Sequence, residues 1–299
     1  MSHAPEAPRV GSLERILRDD AQRNWISDRI SSVLKTSSDL QLRELKLRNS
    51  AMQEHALKSA DAILGRIAKH HCAEIMRARA SEFRRSFSHD SYILDLGGGT
   101  GWYWHGSTGP PVVLVDFSLE SLKVAERLLA PQDQVILIHG DAADLPFRPE
   151  VFDGLFSVQV LQHMQASLLA AVCAEISRIM KHAWRAELYS LHAPLLHRAV
   201  YALLGRAYHR EGELGDYYLT RQPPSIWNTR LSELFSSHNM SLEIDAEYSE
   251  LFFHPNFHCI PKKYPTCLES FMIRQLPTFA GLIARQHQLR IKGKKRLYT

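Results

Sequence analysis

Between Tyr92 and Leu191, short and largely apolar runs alternate with stretches of helical spacing. The apolar runs are Tyr92–Leu96, Val112–Val115, Gln134–Ile138, Phe152–Val160 and Ala186–Leu191. A strand whose side chains are apolar on both faces must be covered on both, and a parallel sheet between helix layers does this. Helical periodicity over Leu119–Leu129 and Leu168–Lys181 supplies crossovers between such strands. The expected class is α/β, a mostly parallel sheet with helices on both faces.

The remaining chain reads differently. Residues 1–11 carry Pro5, Pro8 and Gly11 and read as a loose leader. From Ser12 to about Phe87 apolar residues recur at helical spacing, first at Leu13, Ile16, Leu17, Ile26, Ile30 and Val33. A second series begins near Ser38 and runs through Leu42, Leu45, Met52 and Ile63 to Ile67. Two or three helices packed on the main domain, or a coiled coil, both suit that pattern. We expect an N-terminal helical extension or cap over residues 1–88 and the main domain over 89–299. Pro194 to about His209 reads as a helix, and Arg210 to Pro224 as a polar loop. Ser225 is placed to cap a helix running to His238. Leu242–Ala246 and Leu251–Phe253 read as late strands of an edge hairpin.

The first strand runs into Asp95-Leu96-Gly97-Gly98-Gly99-Thr100-Gly101. A sharp turn from strand to helix needs left-handed backbone, and a ligand approaching the backbone needs the absence of Cβ; glycine meets both demands. A dinucleotide fingerprint, G-x-G-x-x-G, would place its third glycine at Trp102 or Trp104, where an indole obstructs the packing. The spacing is instead G-x-G-x-G (Gly97, Gly99, Gly101), with Asp95 two positions ahead. It resembles the first motif of class I S-adenosylmethionine-dependent methyltransferases, and the resemblance covers roughly residues 90 to 190.

That resemblance implies a Rossmann-like, seven-stranded, mostly parallel sheet with a helical insert at about 194–224 acting as a lid. It implies S-adenosylmethionine as cofactor and S-adenosylhomocysteine as product. Asp116, ending the second strand, matches the carboxylate that accepts from the ribose hydroxyls, and Phe117 is placed to pack on the adenine. Asp141 and Ala142, after the third strand, match the adenine-amino position. Gly97, Gly98, Gly99 and Gly101 form the loop, and Gln159 at the end of the fourth strand joins the cofactor set. Asp95 suits either the cofactor or the loop's own amides. The passage Phe152 to His163 resembles the small-molecule branch typified by quinone-biosynthesis methyltransferases.

Methyl transfer from a sulfonium requires alignment first and a base only for some acceptors. His163 and His192 lie where the fourth and fifth strands exit, and both are candidates. A helix-cap or core histidine also suits His163, and a solvent-facing loop histidine suits His192. Trp102, Tyr103 and Trp104 suit either a pocket wall or packing against the N-terminal helices. Tyr201, Tyr208, Tyr217 and Tyr218 in the insert suit an aromatic or lipid-like acceptor, or a lid that they stabilise.

Other acceptors fit less well. Base-amine enzymes carry Asn/Asp-Pro-Pro-aromatic where this chain has Ser157-Val158-Gln159-Val160, and there is no Pro-Cys pair for cytosine chemistry in that region. The carboxylate cluster of metal-assisted catechol enzymes is missing from the sequence, so no metal is expected. The reading is transfer to a small-molecule or lipid-like acceptor at O, N or C. The alternatives are an RNA or protein methyltransferase, or a non-catalytic scaffold of the same fold. A net charge of +4 does not indicate DNA. The basic tail Lys292–Arg296, with Arg77, Arg79, Arg84 and Arg85, leaves RNA or an anionic membrane surface open. The N-terminus lacks the pattern of a signal peptide and no apolar run spans a membrane, so a cytoplasmic location is expected.

Overall fold

A computed structural model describes residues 14–19, 24–33, 71–214, 217–249 and 263–296. Its strands are β1 (Asn24–Trp25), β2 (Ile30–Ser32), β3 (Ile93–Leu96), β4 (Val112–Asp116), β5 (Val135–His139), β6 (Phe152–Val158), β7 (Met180–Leu191), β8 (Glu211–Leu214), β9 (Tyr217–Thr220), β10 (Met240–Ser249) and β11 (Gln286–Lys295). The helices are α1 (His71–Arg85), α2 (Leu119–Leu128), α3 (Ala166–Ile179), α4 (Leu195–Leu203), α5 (Pro224–Ser236), α6 (Lys263–Gln275) and α7 (Pro277–Ile283).

Among the described residues nine strands form one sheet in the order β1-β2-β5-β4-β3-β6-β7-β11-β10. Strands β2 through β7 pair in parallel, while β11 lies antiparallel between β7 and β10. Strands β3 to β7 and β10 match expected strands; β11 comes from the segment read as a basic tail, and β1 and β2 extend the sheet past β5. From β3 the chain steps to β4 and β5 on one side, then crosses to β6 and β7 on the other. That reversal opens a crevice at the carboxyl ends of β3 and β6, where ligands of open α/β sheets bind.

Alternation along the strands divides the core into two layers. Leu94, Leu96, Val113 and Val115 pack with Val172 and Ile176 of α3 and Trp227 and Leu231 of α5. Ile93, Val112, Leu114 and Leu137 face the other way, onto Ala80 and Phe83 of α1 and Leu122 of α2. Each such Val, Leu, Ile or Phe side chain contributes roughly 1.5–3 kcal/mol on burial.

Several expectations are corrected. Ile26 to Val33 is not helical: Ile30–Ser32 pairs in parallel with Leu137–His139, and Ile30 is fully buried. Two β-branched residues flanking two serines are poor helix formers, and the open edge of β5 decides the outcome. Residues 24–33 therefore belong to the sheet and not to a separate cap. The series from Ser38 to Ile67 and the candidate strand Leu251–Phe253 lie outside the described residues. The edge partner of β10 is β11, so the basic tail is a strand rather than a loose end. Arg210 to Pro224 contains the β8–β9 hairpin. Helix α5 starts at Pro224, with Pro223 and not Ser225 as its N-cap. Among the described residues no helix is long and apolar enough to cross a membrane.

Candidate active site at the carboxyl ends of β3 and β6

The glycine spacing is a record of backbone angles. Gly97, Gly99 and Gly101 have φ of 68°, 56° and 58°, a left-handed conformation that costs other residues about 1–2 kcal/mol each. Gly97 N–H bonds to Val115 O at 2.7 Å, and Gly101 N–H to Gly98 O at 2.8 Å. A Cβ on Gly97 would stand 2.4 Å from Val160 Cγ2, and one on Gly101 2.7 Å from Leu114 Cδ1. One on Gly98 would stand 2.2 Å from Asp95 Oδ2. Gly99 differs: the nearest atom to its Cβ position is Asp116 Oδ2 at 3.9 Å, so its outer side faces open space beside a carboxylate.

The helix expected after the glycines is one three-ten turn, Trp102–Trp104. The space it leaves is filled by aromatic rings. Tyr103 and Trp104 are buried, pack on Phe156 at ring-centroid distances of 5.5 and 5.0 Å, and share a core layer with α1. Asp95 explains why they lie there. It is fully buried; Tyr103 O–H donates to its carboxylate at 3.0 Å and Trp104 Nε1–H at 2.7 Å. Burial pushes its pKa up to about 7, partly offset by those bonds. Asp95 holds the aromatic turn, not the loop's amides.

Asp116 is partly exposed at the end of β4. Its Oδ2 accepts from Gly99 N–H and its Oδ1 from Ser118 N–H, each at 2.7 Å. Burial still raises its pKa above the ordinary carboxylate value, against those two bonds. A carboxylate has about four acceptor positions, so two backbone donors leave capacity for two hydroxyls. Phe117 is half-buried, and its carbonyl accepts from Nε2–H of His139, whose Nδ1 lies 3.2 Å from Ser32 Oγ of β2. His139 thus clamps the Asp116–Phe117 corner to the added strand. Asp141 Oδ1 accepts from Ala143 N–H at 3.0 Å, and Ala142 packs against the core.

On the other side of the crevice Gln159 has φ of 58°, and its Nε2 donates to Gln286 Oε1 at 2.7 Å across the end of β7. His163 Nδ1–H donates to Tyr218 O of β9 at 3.0 Å. Gln162 Oε1 accepts from Leu191 N–H, which turns its Nε2 toward His163 Nε2 at 3.3 Å. Burial lowers the pKa of His163, so the ring is neutral with its lone pair on Nε2. His192 is buried, not a solvent-facing loop residue; its Nε2–H donates to Gly281 O at 3.1 Å. Its ring centroid is 6.4 Å from that of His287, which is fully buried, has neither nitrogen bonded, and has its pKa pushed down to about 3.

Three contributors escaped sequence reasoning. His139 carried a readable signal, a histidine at a strand's carboxyl end. Gln286 and His287 carried none, because their pairing partner was assigned elsewhere. Among the described residues no three metal-ligating side chains are grouped to hold an ion.

Residues 94–183 match the family model described as "Methyltransferase domain". Over 65 residues the chain is 45% identical to demethylmenaquinone methyltransferase of Clavibacter sepedonicus, a stretch that is 21% of this chain and 26% of the relative. The chain thus spans about a quarter of the length of the curated relative it matches. Among solved structures it is similar to the [4+2]-cyclase SpnF, with 17% identity and a TM-score of 0.52 over 82% of this chain and 95% of that one.

Proposed function

We propose that this chain, whose residues 94–183 match a methyltransferase domain, takes S-adenosylmethionine as its cofactor and methylates a small-molecule or lipid-like acceptor. The observation that carries this reading is the carboxylate of Asp116, anchored by Gly99 and Ser118 N–H beside the open side of Gly99. The residues fit the cofactor: Asp116 would hold the ribose hydroxyls, Phe117 and Ala142 would flank the adenine, and Asp141 would take its amino group. The glycine loop would pass beneath the methionine portion. The role of 194–224 as a lid belongs to the same proposal.

The cofactor supplies a methyl group already activated on a sulfonium, so the protein's work is alignment and exclusion of water. His163 is the favoured base for an acceptor that carries a proton, since its proton sits on Nδ1 and its Nε2 lone pair, which accepts from Gln162 Nε2–H, is the basic site an acceptor would compete for. His192 keeps Nε2–H on Gly281, which leaves Nδ1 as its basic atom. The quinone-related relative favours a hydrophobic ring acceptor. The cyclase neighbour is a reminder that fold does not fix reaction.

The RNA reading loses part of its charge. Arg84 is fully buried, Arg77 bonds to His105 O, and Arg290, Lys292 and Lys295 pair with Glu247, Glu243 and Glu150. The test is to supply methyl-labelled S-adenosylmethionine together with a cell extract and to fractionate the products. Label in the organic-soluble or small-molecule fraction supports the proposal. Label in RNA or protein replaces it with the alternative acceptor, and binding without transfer leaves a scaffold.

A further inference from the structure

Helix α4 is well formed yet buries none of its side chains. Its end is closed by Gly205, at φ 64°, with Gly205 N–H on Ala202 O and Arg206 N–H on Tyr201 O at 2.8 Å. This paired closure satisfies the last carbonyls without tertiary help. Leu195, Leu196, Leu203 and Leu204 are all exposed, Leu203 by 85% and Leu204 by 62%. Helix α7 lies against α4 and adds exposed Phe279 and Leu282. Proteins that stay free in water rarely leave so many large apolar side chains together on one face.

The charges around this face have one sign. Across residues 194–210 and 263–285 the charged side chains include Arg198, Arg206, Arg210, Arg274 and Arg285, and the one carboxylate, Glu269, is buried. The neighbouring Glu211 is engaged by Tyr218 and Gln222, and Glu213 by Gln165. Apolar side chains to insert, bordered by arginines and with the neighbouring Glu211 and Glu213 already hydrogen-bonded, are what an anionic bilayer surface recognises. Position agrees: α4 follows the carboxyl end of β7, and α7 leads into β11 beside it, so the face borders the mouth of the proposed active site.

We propose that the α4–α7 face seats the protein on an anionic lipid surface. This goes beyond the methyl-transfer reading and does not require it; only the inference that the acceptor comes from that bilayer rests on it. The full chain is sedimented with vesicles of phosphatidylcholine, and of phosphatidylcholine with phosphatidylglycerol. Leu196→Glu/Leu203→Glu and Arg198→Glu are compared with wild type, and S-adenosylhomocysteine binding is measured on each protein.

The expected result is binding to the phosphatidylglycerol vesicles that weakens with salt. Each variant should bind about tenfold more weakly, with S-adenosylhomocysteine binding unchanged. Two results overturn the proposal: wild type staying in the supernatant, or variants binding as well as wild type. A concentration-dependent dimer that the leucine variant splits, without vesicle binding, also overturns it and makes the face a contact between copies. Loss of S-adenosylhomocysteine binding by wild type would strike the methyl-transfer reading and leave the vesicle result standing.

Discussion

Trp104 donates its indole N–H to Asp95 at 2.7 Å, nine residues back along the chain and beneath the glycine loop, with both side chains fully buried. Burial raises the Asp95 pKa to about 7, so the folded state holds a proton that the unfolded chain releases near 4. The stabilisation from this group is therefore full below pH 4 and is lost as pH rises to about 7. Asp95→Asn should remove this slope, up to about 1.4 kcal/mol per pH unit. Urea midpoints at pH 5 and pH 8 for wild type and variant measure it; parallel changes in the two proteins would refute it.

His287 should act in the opposite direction. Its folded pKa is pushed down to about 3, so its contribution is present above about pH 6.5 and is lost as pH falls toward 3. His287→Phe should lose less stability than wild type between pH 8 and pH 5, read from the same urea midpoints. The two variants therefore bend the stability curve in opposite senses.

Single alanines in the loop should grade by what they meet. Gly99→Ala meets nothing closer than 3.9 Å and suffers mainly from its φ of 56°, about 1–2 kcal/mol. Gly97→Ala adds a contact of 2.4 Å with Val160 to a φ of 68° and should cost several degrees of Tm more. Gly98→Ala has no φ penalty, yet runs into Asp95 and Leu114 at 2.2 and 2.6 Å. Equal Tm losses at all three positions would contradict the packing account.

Arg84 is a scaffold residue. Its guanidinium donates to Pro110 O at 2.9 Å and to Ser107 Oγ at 2.7 Å, and burial lowers its pKa to about 10, so it stays charged. Arg84→Met leaves those buried acceptors unpaired and should cost about 3 kcal/mol. Calorimetric unfolding measures this, and a loss below about 1 kcal/mol would show that the loop before β4 does not depend on it.

The sheet was legible because its strands are apolar on both faces, and the loop because three left-handed positions demand three glycines. The edges were less so. Ile26 to Val33 has an apolar spacing that suits a helix, and the free edge of β5 draws it into the sheet. The partner of β10 lies almost 40 residues further along in sequence, where local signals carry no information about pairing. At the site, Asp116 was legible from its place at a strand end. Asp95 was legible as a motif residue but not in its role, since that role depends on a helix being reduced to one turn. The polar group of Gln286 and His287 follows from the register of β11 alone.

The central claim is that Asp116 holds the cofactor. Calorimetric titration with S-adenosylhomocysteine, comparing wild type with Asp116→Ala, tests it most directly. Two charge-assisted bonds of about 1.5–3 kcal/mol each predict that the variant binds at least about a hundredfold more weakly. Wild-type affinity should also fall on acidification, beginning above the usual carboxylate range because the Asp116 pKa is raised. Equal affinity in the two proteins, or no binding by a folded wild type, would contradict the account.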